Sequence, residues 1–299
     1  MNYKIFLLFF VLLGLTSTNM MIKAQSEEEN LEIFDDSFWD TDFDTSFKME
    51  HPVVEVVYGI TQPKIHKDGF NSDFSQVSSV NGRFGYTDIE SNLFESNVFE
   101  YSLTCVSLGY SSSKLNFSED DNISNIGINR WQFGVGSMKG YGHKFTEKTN
   151  LLFYSASNIN WSGIDYDEKA QIPTDQKLID RFADGIRFGE SFEGGIKFQV
   201  YEPIAITASY ERQIVYPRLL FWKWAGSGLL FGIGEGIISH FSEKIIKASP
   251  TFGPFFNFVL LNAYKYGTYE LRKKRMNWPF VTEAPLMYEG FNVGLSFTF

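Results

Sequence analysis

Cysteine and histidine are scarce in this chain of 299 residues. The single thiol of Cys105 excludes an intramolecular disulfide framework and any zinc site built from several cysteines. The four histidines form no ligand pair at helical or strand spacing, so we expect no metal site, and nothing in the sequence indicates another cofactor. The histidines are His51, His66, His143 and His240.

Positive charge is also in short supply. Lys and Arg number 26 against 36 Asp and Glu, and the resulting net charge of −10 argues against nucleic-acid binding. Aromatic residues, by contrast, make up 17% of the chain, and an apolar content this high excludes a disordered protein. The length allows one large domain or two small ones.

The first 24 residues have the pattern of a secretory signal peptide. A basic start with Lys4 precedes an apolar core at residues 5–15, and small or polar residues follow up to Ala24. The apolar core is shorter than the stretch of about 20 residues that a spanning helix needs. We therefore expect residues 1–24 to be removed by cleavage after Ala24 and the mature chain to be exported.

Residues 25–50 are strongly acidic, with ten Asp and Glu residues against Lys48. Like charges at this density repel one another and keep a chain extended, so we expect a flexible tail. The tail carries most of the negative charge, and residues 51–299 are almost neutral. Five aromatic side chains interrupt the acidic run, and the tail either stays solvated or docks on a partner through Phe34, Phe38, Trp39, Phe43 and Phe47.

Residues 51–299 contain eight segments in which apolar side chains alternate with polar or small ones. A period of two gives a strand one apolar and one polar face. An even number of such strands fits a closed antiparallel barrel, which leaves no backbone group unpaired in a membrane. We expect the apolar faces to point outward, except in the fifth segment, whose faces are ambiguous. The segments are residues 53–60, 80–86, 99–105, 131–135, 151–161, 192–200, 204–210 and 291–299.

The connections between these segments are alternately long and short. Outer-membrane barrels have short periplasmic turns and long extracellular loops, so this pattern places both termini and the acidic tail in the periplasm. The tightest turn is residues 202–204. Across it, side-chain parity predicts that Lys197 pairs with Ser209 and that Glu211 lies within salt-bridge reach of Lys197.

The seventh connection, residues 216–285, is far longer than the others. Pro250 and Gly253 separate two apolar stretches, which predicts two helices joined by a turn. Lys223 and Glu235 argue against a spanning helix, because a charge near the centre of a bilayer costs about 2.5–3.5 kcal/mol. We therefore expect a helical hairpin that caps the barrel or lies at the outer interface. The alternative is two extra strands and a ten-stranded barrel.

The closing segment, residues 291–299, resembles the C-terminal signal strand of bacterial outer-membrane barrels, because it alternates throughout and ends on Phe. With the signal peptide and the eight alternating segments, it makes residues 51–299 similar to the small outer-membrane β-barrel family of the OmpA/OmpX type. This resemblance implies an all-β, eight-stranded antiparallel transmembrane barrel in the outer membrane of a Gram-negative bacterium. It also implies contact with outer-membrane lipid and lipopolysaccharide, and insertion by the barrel-assembly machinery, which would read Phe291, Val293, Leu295, Phe297 and Phe299. The acidic tail and the helical insert depart from the simplest members, so no specific role follows from the resemblance.

Inward side chains nearly fill the interior of an eight-stranded barrel, and unpaired charges there are costly. The inward polar positions therefore predict a buried polar network, which serves either as structural filling or as a path for protons or ions. Its predicted members are Glu55, Arg83, Glu100, Gln132, Glu193, Lys197 and Glu211.

A basic cluster ends the second predicted helix and has two interpretations. It complements the helix dipole, or, being outside the membrane and next to Trp278, it binds lipopolysaccharide phosphates. The cluster consists of Arg272, Lys273, Lys274 and Arg275.

The residues favour a non-enzymatic surface or scaffold barrel that binds lipid or a partner. The alternatives are an outer-leaflet enzyme that modifies the acyl chains of lipid A, and a narrow channel. His143 follows Gly140, Tyr141 and Gly142, but the predicted topology places it on the periplasmic side, so we name no catalytic residue. We interpret one further polar group as a solvated loop and not as a calcium site: Asp120, Asp121 and Asn122.

Overall fold

The computed structural model describes residues 51–93, 97–115, 125–146, 148–167 and 170–299. The expected signal peptide and acidic tail lie outside these described residues, as do Asp120, Asp121 and Asn122.

Eight antiparallel strands form a closed barrel, in which each strand pairs with the next and the last pairs with the first. The prediction of eight strands is confirmed, and the alternative of ten strands is wrong. Each predicted segment falls on one strand, because alternation marks the body of a strand better than its ends. The strands are β1 (His51–Ile65), β2 (Val77–Leu93), β3 (Val98–Ser112), β4 (Ile128–Lys144), β5 (Asn150–Tyr166), β6 (Ile186–Tyr201), β7 (Ile204–Val215) and β8 (Leu286–Thr298).

The connections alternate in length as predicted. The short ones follow β2, β4 and β6 at one end of the barrel, which we call the lower end. The long ones follow β1, β3, β5 and β7 at the opposite, upper end. These upper connections contain a 3-10 turn at Ser113–Leu115 and three helices, α1 (Pro173–Ile179), α2 (Phe221–Ala248) and α3 (Gly253–Arg272).

Helices α2 and α3 form the helical hairpin that was predicted before the last strand. Gly253 begins α3 at a close approach to α2, where a Cβ atom would overlap the Cα of Ile246. Pro254 lies in the first turn of α3, where a backbone N–H has no intrahelical partner. None of the helices in the described part of the chain is both long enough and apolar enough to cross a membrane.

The hairpin does not cap the barrel, and that alternative of the prediction is wrong. It packs against the outer surface of β4, β5 and β6. There the Lys265 ammonium donates to the Ser157 hydroxyl at 2.8 Å, and the ring centroids of Phe153 and Phe255 are 5.9 Å apart. The outward side chains of β5 thus supply the hydrogen-bond partners that the polar face of the hairpin needs.

Helix α1 closes the upper end of the barrel instead. Ile179 at its end and the nearby Phe182 are fully buried. They pack with Phe74 and Ile126 from two other upper connections. Inward-facing residues near the upper ends of the strands complete this apolar layer, namely Ile65, Val77, Ile128, Ile164, Val215 and Leu286.

The predicted inward and outward faces are wrong for β3. Tyr101 and Leu103, which were expected outside, are buried in an apolar cluster inside the barrel. Leu108 and Tyr110 are exposed on the outer surface instead, and Glu100 shares their face. The apolar residues of β3 change from odd to even positions along the strand, so alternation alone cannot tell which face is buried.

The predicted register between β6 and β7 is also wrong. Lys197 pairs with Thr207, not with Ser209. The connection contains only residues 202–203, and an irregularity at the lower end of β6 shifts the pairing. Lys197 and Thr207 still share a face, because the parity of facing residues is unchanged.

Candidate functional site

Charged side chains from several strands meet inside the barrel. Arg83 on β2 lies 3.4 Å from the carboxylate of Glu55 on β1 and makes a bidentate ion pair with Glu193 on β6. The Tyr154 hydroxyl on β5 donates to Glu193 at 2.6 Å. All of these side chains are buried, so their contacts tie strands on opposite sides of the barrel together.

Lys197 on β6 extends this group of charges. Its ammonium lies 2.5 Å from the Glu55 carboxylate and donates to the hydroxyls of Tyr101 at 3.1 Å and Ser296 at 3.3 Å. Two cations and two carboxylates therefore balance one another, which avoids the cost of an unpaired buried charge. We call the four residues the ionic cluster: Glu55, Arg83, Glu193 and Lys197.

Gln132 belongs to a second polar network, nearer the upper end. Its amide group donates to Asn81 at 3.0 Å and accepts from Gln213 at 3.0 Å. Gln213 in turn accepts from the Arg130 guanidinium at 2.7 Å. That guanidinium lies 4.0 Å from the ring centroid of Tyr288, which adds a cation–π contact. These contacts fill the interior between β2, β4 and β7.

Two predicted members of the network, Glu211 and Glu100, stand apart from the ionic cluster. Glu211 faces the interior, lies opposite Glu193 on the neighbouring strand, and accepts from the Asn292 amide at 3.0 Å. Lys197 binds Glu55 and not Glu211, contrary to the prediction. Glu100 lies on the outer surface, since β3 presents the opposite face, so its placement in the interior is wrong.

The interior of the barrel is filled at its other levels too. The apolar layer under α1 lies above the polar networks, and the cluster around Leu103, Met138 and Leu152 lies below them. A cavity of about 500 Å³ opens at the lower end and is lined by Lys197 and Phe299 among others. The two apolar layers and the polar networks between them join strands across the interior.

The outer surface of the barrel has two contrasting regions. On the lower and middle parts of β7, β8 and β1 many outward side chains are apolar and exposed. We call this the apolar wall, formed by Ile204, Ile206, Phe291, Val293, Leu295, Val56 and Ile60. On the lower halves of β3, β4 and β5 most outward side chains are polar; we call this the polar wall, formed by Glu100, Ser102, Thr104, Ser137, Lys139, Tyr141, Ser155 and Ser157.

A buried ion pair attaches the hairpin to the barrel. The side chain of Arg272 on α3 is 3% exposed and lies 2.7 Å from Glu190, an outward residue of β6. Arg272 also donates to the Tyr216 hydroxyl and to the Met276 carbonyl, the latter at 3.0 Å. The indole N–H of Trp224 on α2 donates to Glu190. Both helices are thus held to one carboxylate of the barrel.

The hairpin turns its polar side chains toward the barrel. Lys265 is buried, contacts Ser157 and lies 3.1 Å from Glu235 on the neighbouring helix. The other charged residues of α2 lie toward its ends, with Lys223 at one end and Glu243 and Lys244 at the other. A helix on a soluble core buries its apolar face, whereas this hairpin exposes it. The exposed residues include Leu229, Leu230, Ile233, Ile237, Phe241, Phe255, Phe256 and Val259.

The structure divides the basic cluster at the end of α3. Arg272 is buried against the barrel, and Lys273 lies 2.6 Å from a glutamate of its own helix. Lys274 contacts Asp68 at 2.9 Å, in an exposed ion pair. Arg275 is exposed. Only Lys274 and Arg275 therefore present their charge to the surroundings.

His66, in the connection after β1, lies near this basic cluster. Burial lowers the pKa of His66 below its usual value, and the ammonium group of Lys273 lowers it further. The side chain is therefore uncharged at neutral pH and adds no positive charge to the upper end.

The predicted assembly residues form one outward row along β8. The terminal residue is fixed beside the start of β1, because its amide donates to the Pro52 carbonyl at 2.9 Å. Asn292 and Ser296, which alternate with this row, are buried inside the barrel. The row consists of Phe291, Val293, Leu295, Phe297 and Phe299.

Several residues that face the interior were not predicted to do so from the sequence. Tyr101 was assigned to the wrong face, and Tyr154 lies on β5, whose faces were ambiguous. Arg130 precedes Gln132 by two positions and shares its face, so the same alternation could have found it. The partners of these residues come from distant strands and left no local signal.

No family model matches the chain, and no curated protein matches its sequence. Among solved structures, Neisserial surface protein A (NspA) is similar, with a TM-score of 0.38 and 9% identity over 83% of this chain and 97% of that chain. Ail, the attachment invasion locus protein of Yersinia pestis, gives 0.31 and 10% over 83% and 98%. Ail in a phospholipid bilayer nanodisc gives 0.29 and 11% over 83% and 99%. At these scores, the function has to be inferred from the residues of this chain.

Proposed function

We propose that this chain is an integral outer-membrane β-barrel protein with a non-enzymatic surface or scaffold role. The observation that carries the proposal is the apolar wall, which lies on the outside of a barrel whose interior holds the ionic cluster. A soluble protein has the opposite arrangement, with paired or solvated charges outside and apolar groups inside. A barrel whose outer surface contacts acyl chains needs the arrangement found here. The export signal expected at residues 1–24 supports the same location.

The filled interior favours an anchor over a channel. A channel would require the lower cavity to continue past the ionic cluster and the apolar layer under α1. An enzyme of the outer leaflet is also disfavoured, because His143 lies at the lower end of β4. The short turns at that end support its assignment to the periplasmic side.

The hairpin takes the place of lipid over part of the polar wall and turns its own apolar face to the acyl chains. Between Trp224 and Ser239 on α2, Glu235 is the one ionisable residue, and it pairs with Lys265 on the barrel side. This stretch is about 24 Å long at 1.5 Å per residue, close to the apolar band of about 25 Å in outer-membrane barrels. Lys223 and Lys244 flank the stretch, where their ammonium groups reach the interfaces.

Membrane fractionation and gel migration test the location. We expect the protein in the outer-membrane fraction, and we expect unheated samples to migrate differently from boiled ones on a denaturing gel, because a closed barrel resists unfolding. In planar bilayers the purified protein should give no discrete conductance. Recovery in the soluble periplasmic fraction would reject the proposal, and steady conductance would favour the channel.

Spin labels on the hairpin test its contact with lipid. Labels at Leu230 and Ile237 should be accessible to oxygen, which concentrates in the bilayer, but not to a water-soluble nickel chelate. Lys244, at the end of the same helix, serves as the matched control and should be accessible to nickel. Equal nickel accessibility at all three positions would show that α2 lies in water.

Three interactions extend the proposal. The barrel-assembly machinery would read the outward row of β8, so deletion of Phe299 should slow the appearance of the heat-modifiable form.

Lys274 and Arg275 would contact lipopolysaccharide phosphates at the upper end. A periplasmic protein would bind the acidic tail, and a chain lacking residues 26–50 should insert normally but fail to capture that partner.

A further inference from the structure

A polar cleft lies between the hairpin and the lower part of the barrel. It has a volume of about 400 Å³, within the range of ligand sites. The barrel contributes residues of the polar wall, and the two helices contribute the opposite side. The cleft is open at Ser137, Lys139 and Glu243, which are exposed. Deeper in the cleft are Glu100, Ser155 and Lys265.

Two polar groups of the cleft remain available to a ligand. Ser155 is 5% exposed, and its hydroxyl has no hydrogen-bond partner in the described part of the chain. A buried polar group of this kind indicates an absent ligand or water. Lys139 forms no ion pair with any described residue, whereas Lys265 is already bound to Glu235 and Ser157.

The carboxylates of the cleft also need a counter-charge. Glu100 accepts from the Tyr141 hydroxyl and feels the repulsion of Glu243 on α2. Lys139 attracts Glu100 but is exposed, toward the opening of the cleft. The cleft therefore offers two carboxylates to a cation, and an ammonium and a hydroxyl to an anion.

Apolar side chains lie directly next to this polar group on the barrel surface. Val106, Val135 and Ile159 are neighbours in the strand register and face outward. The next outward row toward the lower end is Thr104, Ser137 and Ser157. A molecule with a polar end in the cleft would thus lay its other end along an apolar surface.

We propose that the cleft binds the headgroup of a zwitterionic phospholipid that carries a primary ammonium and a phosphate. The ammonium lies between Glu100 and Glu243, the phosphate accepts from Lys139 and Ser155, and the acyl chains run toward Val106 and Val135. The lower end faces the periplasm in the proposed function, on which this inference rests, and the periplasmic leaflet is the one that presents phospholipid headgroups there.

Native mass spectrometry of the full-length barrel, purified in detergent, tests the site. Phosphatidylethanolamine and phosphatidylglycerol, which lacks the ammonium, are added at equal concentration. We expect phosphatidylethanolamine to be retained about tenfold more strongly, as the loss of one charge-assisted contact implies. Equal retention of the two lipids would overturn the inference.

Two variants locate the binding. Lys139→Gln and Glu243→Gln should each weaken retention of phosphatidylethanolamine by about tenfold, because each removes one charged contact. Lys144→Gln, at the end of the same strand and outside the cleft, is the matched control and should retain it fully. Loss of retention in the control alone, or in none of the variants, would place the lipid elsewhere.

Free phosphoethanolamine distinguishes a lipid from a soluble ligand. It should compete poorly, because it lacks the acyl chains that contact Val106 and Val135. Competition as strong as that of the lipid would overturn the assignment to a phospholipid. Gel migration of the same samples separates the two proposals: a heat-modifiable membrane protein with no lipid preference rejects only the cleft, whereas a soluble protein rejects the proposed function.

Discussion

The apolar wall and the polar wall are built from the same kind of alternating strand, yet they meet different surroundings. On the lower and middle parts of β7, β8 and β1 the exposed outward side chains of the apolar wall form a continuous apolar surface. On β4 and β5 the lower rows are polar, and α3 lies against them. The outer surface of a barrel can therefore carry polar side chains where another part of the same chain packs against them.

This difference also explains why the hairpin exposes its apolar face and turns its polar side chains toward the barrel. Because Glu190 and Ser157 lie outside the barrel, their partners must come from α2 and α3, which carry Trp224, Lys265 and Arg272. With its polar groups satisfied against the barrel, the hairpin can present an apolar outer face. The two walls thus become similar once the hairpin is in place.

The largest effect is expected on the side of the barrel that the hairpin covers, where Arg272 and Glu190 form an ion pair. Arg272→Met should lower the free energy of unfolding by about 3–5 kcal/mol, because it leaves the Glu190 carboxylate, whose side chain is only 14% exposed, without its cation. Urea unfolding in lipid vesicles, followed by tryptophan fluorescence, measures the loss. The double variant Arg272→Met, Glu190→Gln should recover most of it. A single variant as stable as the parent would mean that the hairpin is not held by this pair.

A smaller effect should separate the two walls directly. Val56→Arg on the apolar wall should cost about 2–4 kcal/mol if the side chain lies near the middle of the bilayer. Thr104→Arg on the polar wall is the matched control and should cost clearly less, because its neighbours are polar. The same unfolding assay applies. Equal costs at the two positions would remove the distinction between the walls.

The smallest effect is expected at the upper end, outside both walls. Lys274→Ala removes an exposed ion pair with Asp68 and should change the free energy of unfolding by about 0–1 kcal/mol. Added salt should leave the parent and the variant equally stable. A loss comparable to that of Arg272→Met would show that the basic cluster acts as one unit, against its division in the structure.

Much of the barrel could be predicted because strands leave local signals. Glu55, Arg83 and Glu193 were found by alternation, since the apolar residues next to each of them keep one parity along that part of the strand. The prediction that Glu100 faces the interior failed because the apolar residues of β3 change from odd to even positions along the strand. Arg130 was missed although its spacing from Gln132 would have indicated it.

The packing of the hairpin could not be predicted from local sequence patterns. Pro250 and Gly253 marked the turn between its helices, and Glu235 marked a position that lipid would not tolerate. The Glu235 carboxylate pairs with Lys265. Lys265 in turn donates to Ser157 on β5, a residue 108 positions away from it in the sequence. No pattern within the hairpin could have indicated the wall against which it packs.

Patterns in the sequence predicted eight strands, the helical insert, the alternation of long and short connections, and a membrane location. These properties follow from periodicity and composition, which are local. Only the tertiary structure decided which face of β3 lies inside, where the hairpin packs, and that Lys197 binds Glu55, 142 residues away. Closing the barrel brings distant strands together, and the low polarity of the interior makes their charges pair with whichever partner lies nearest.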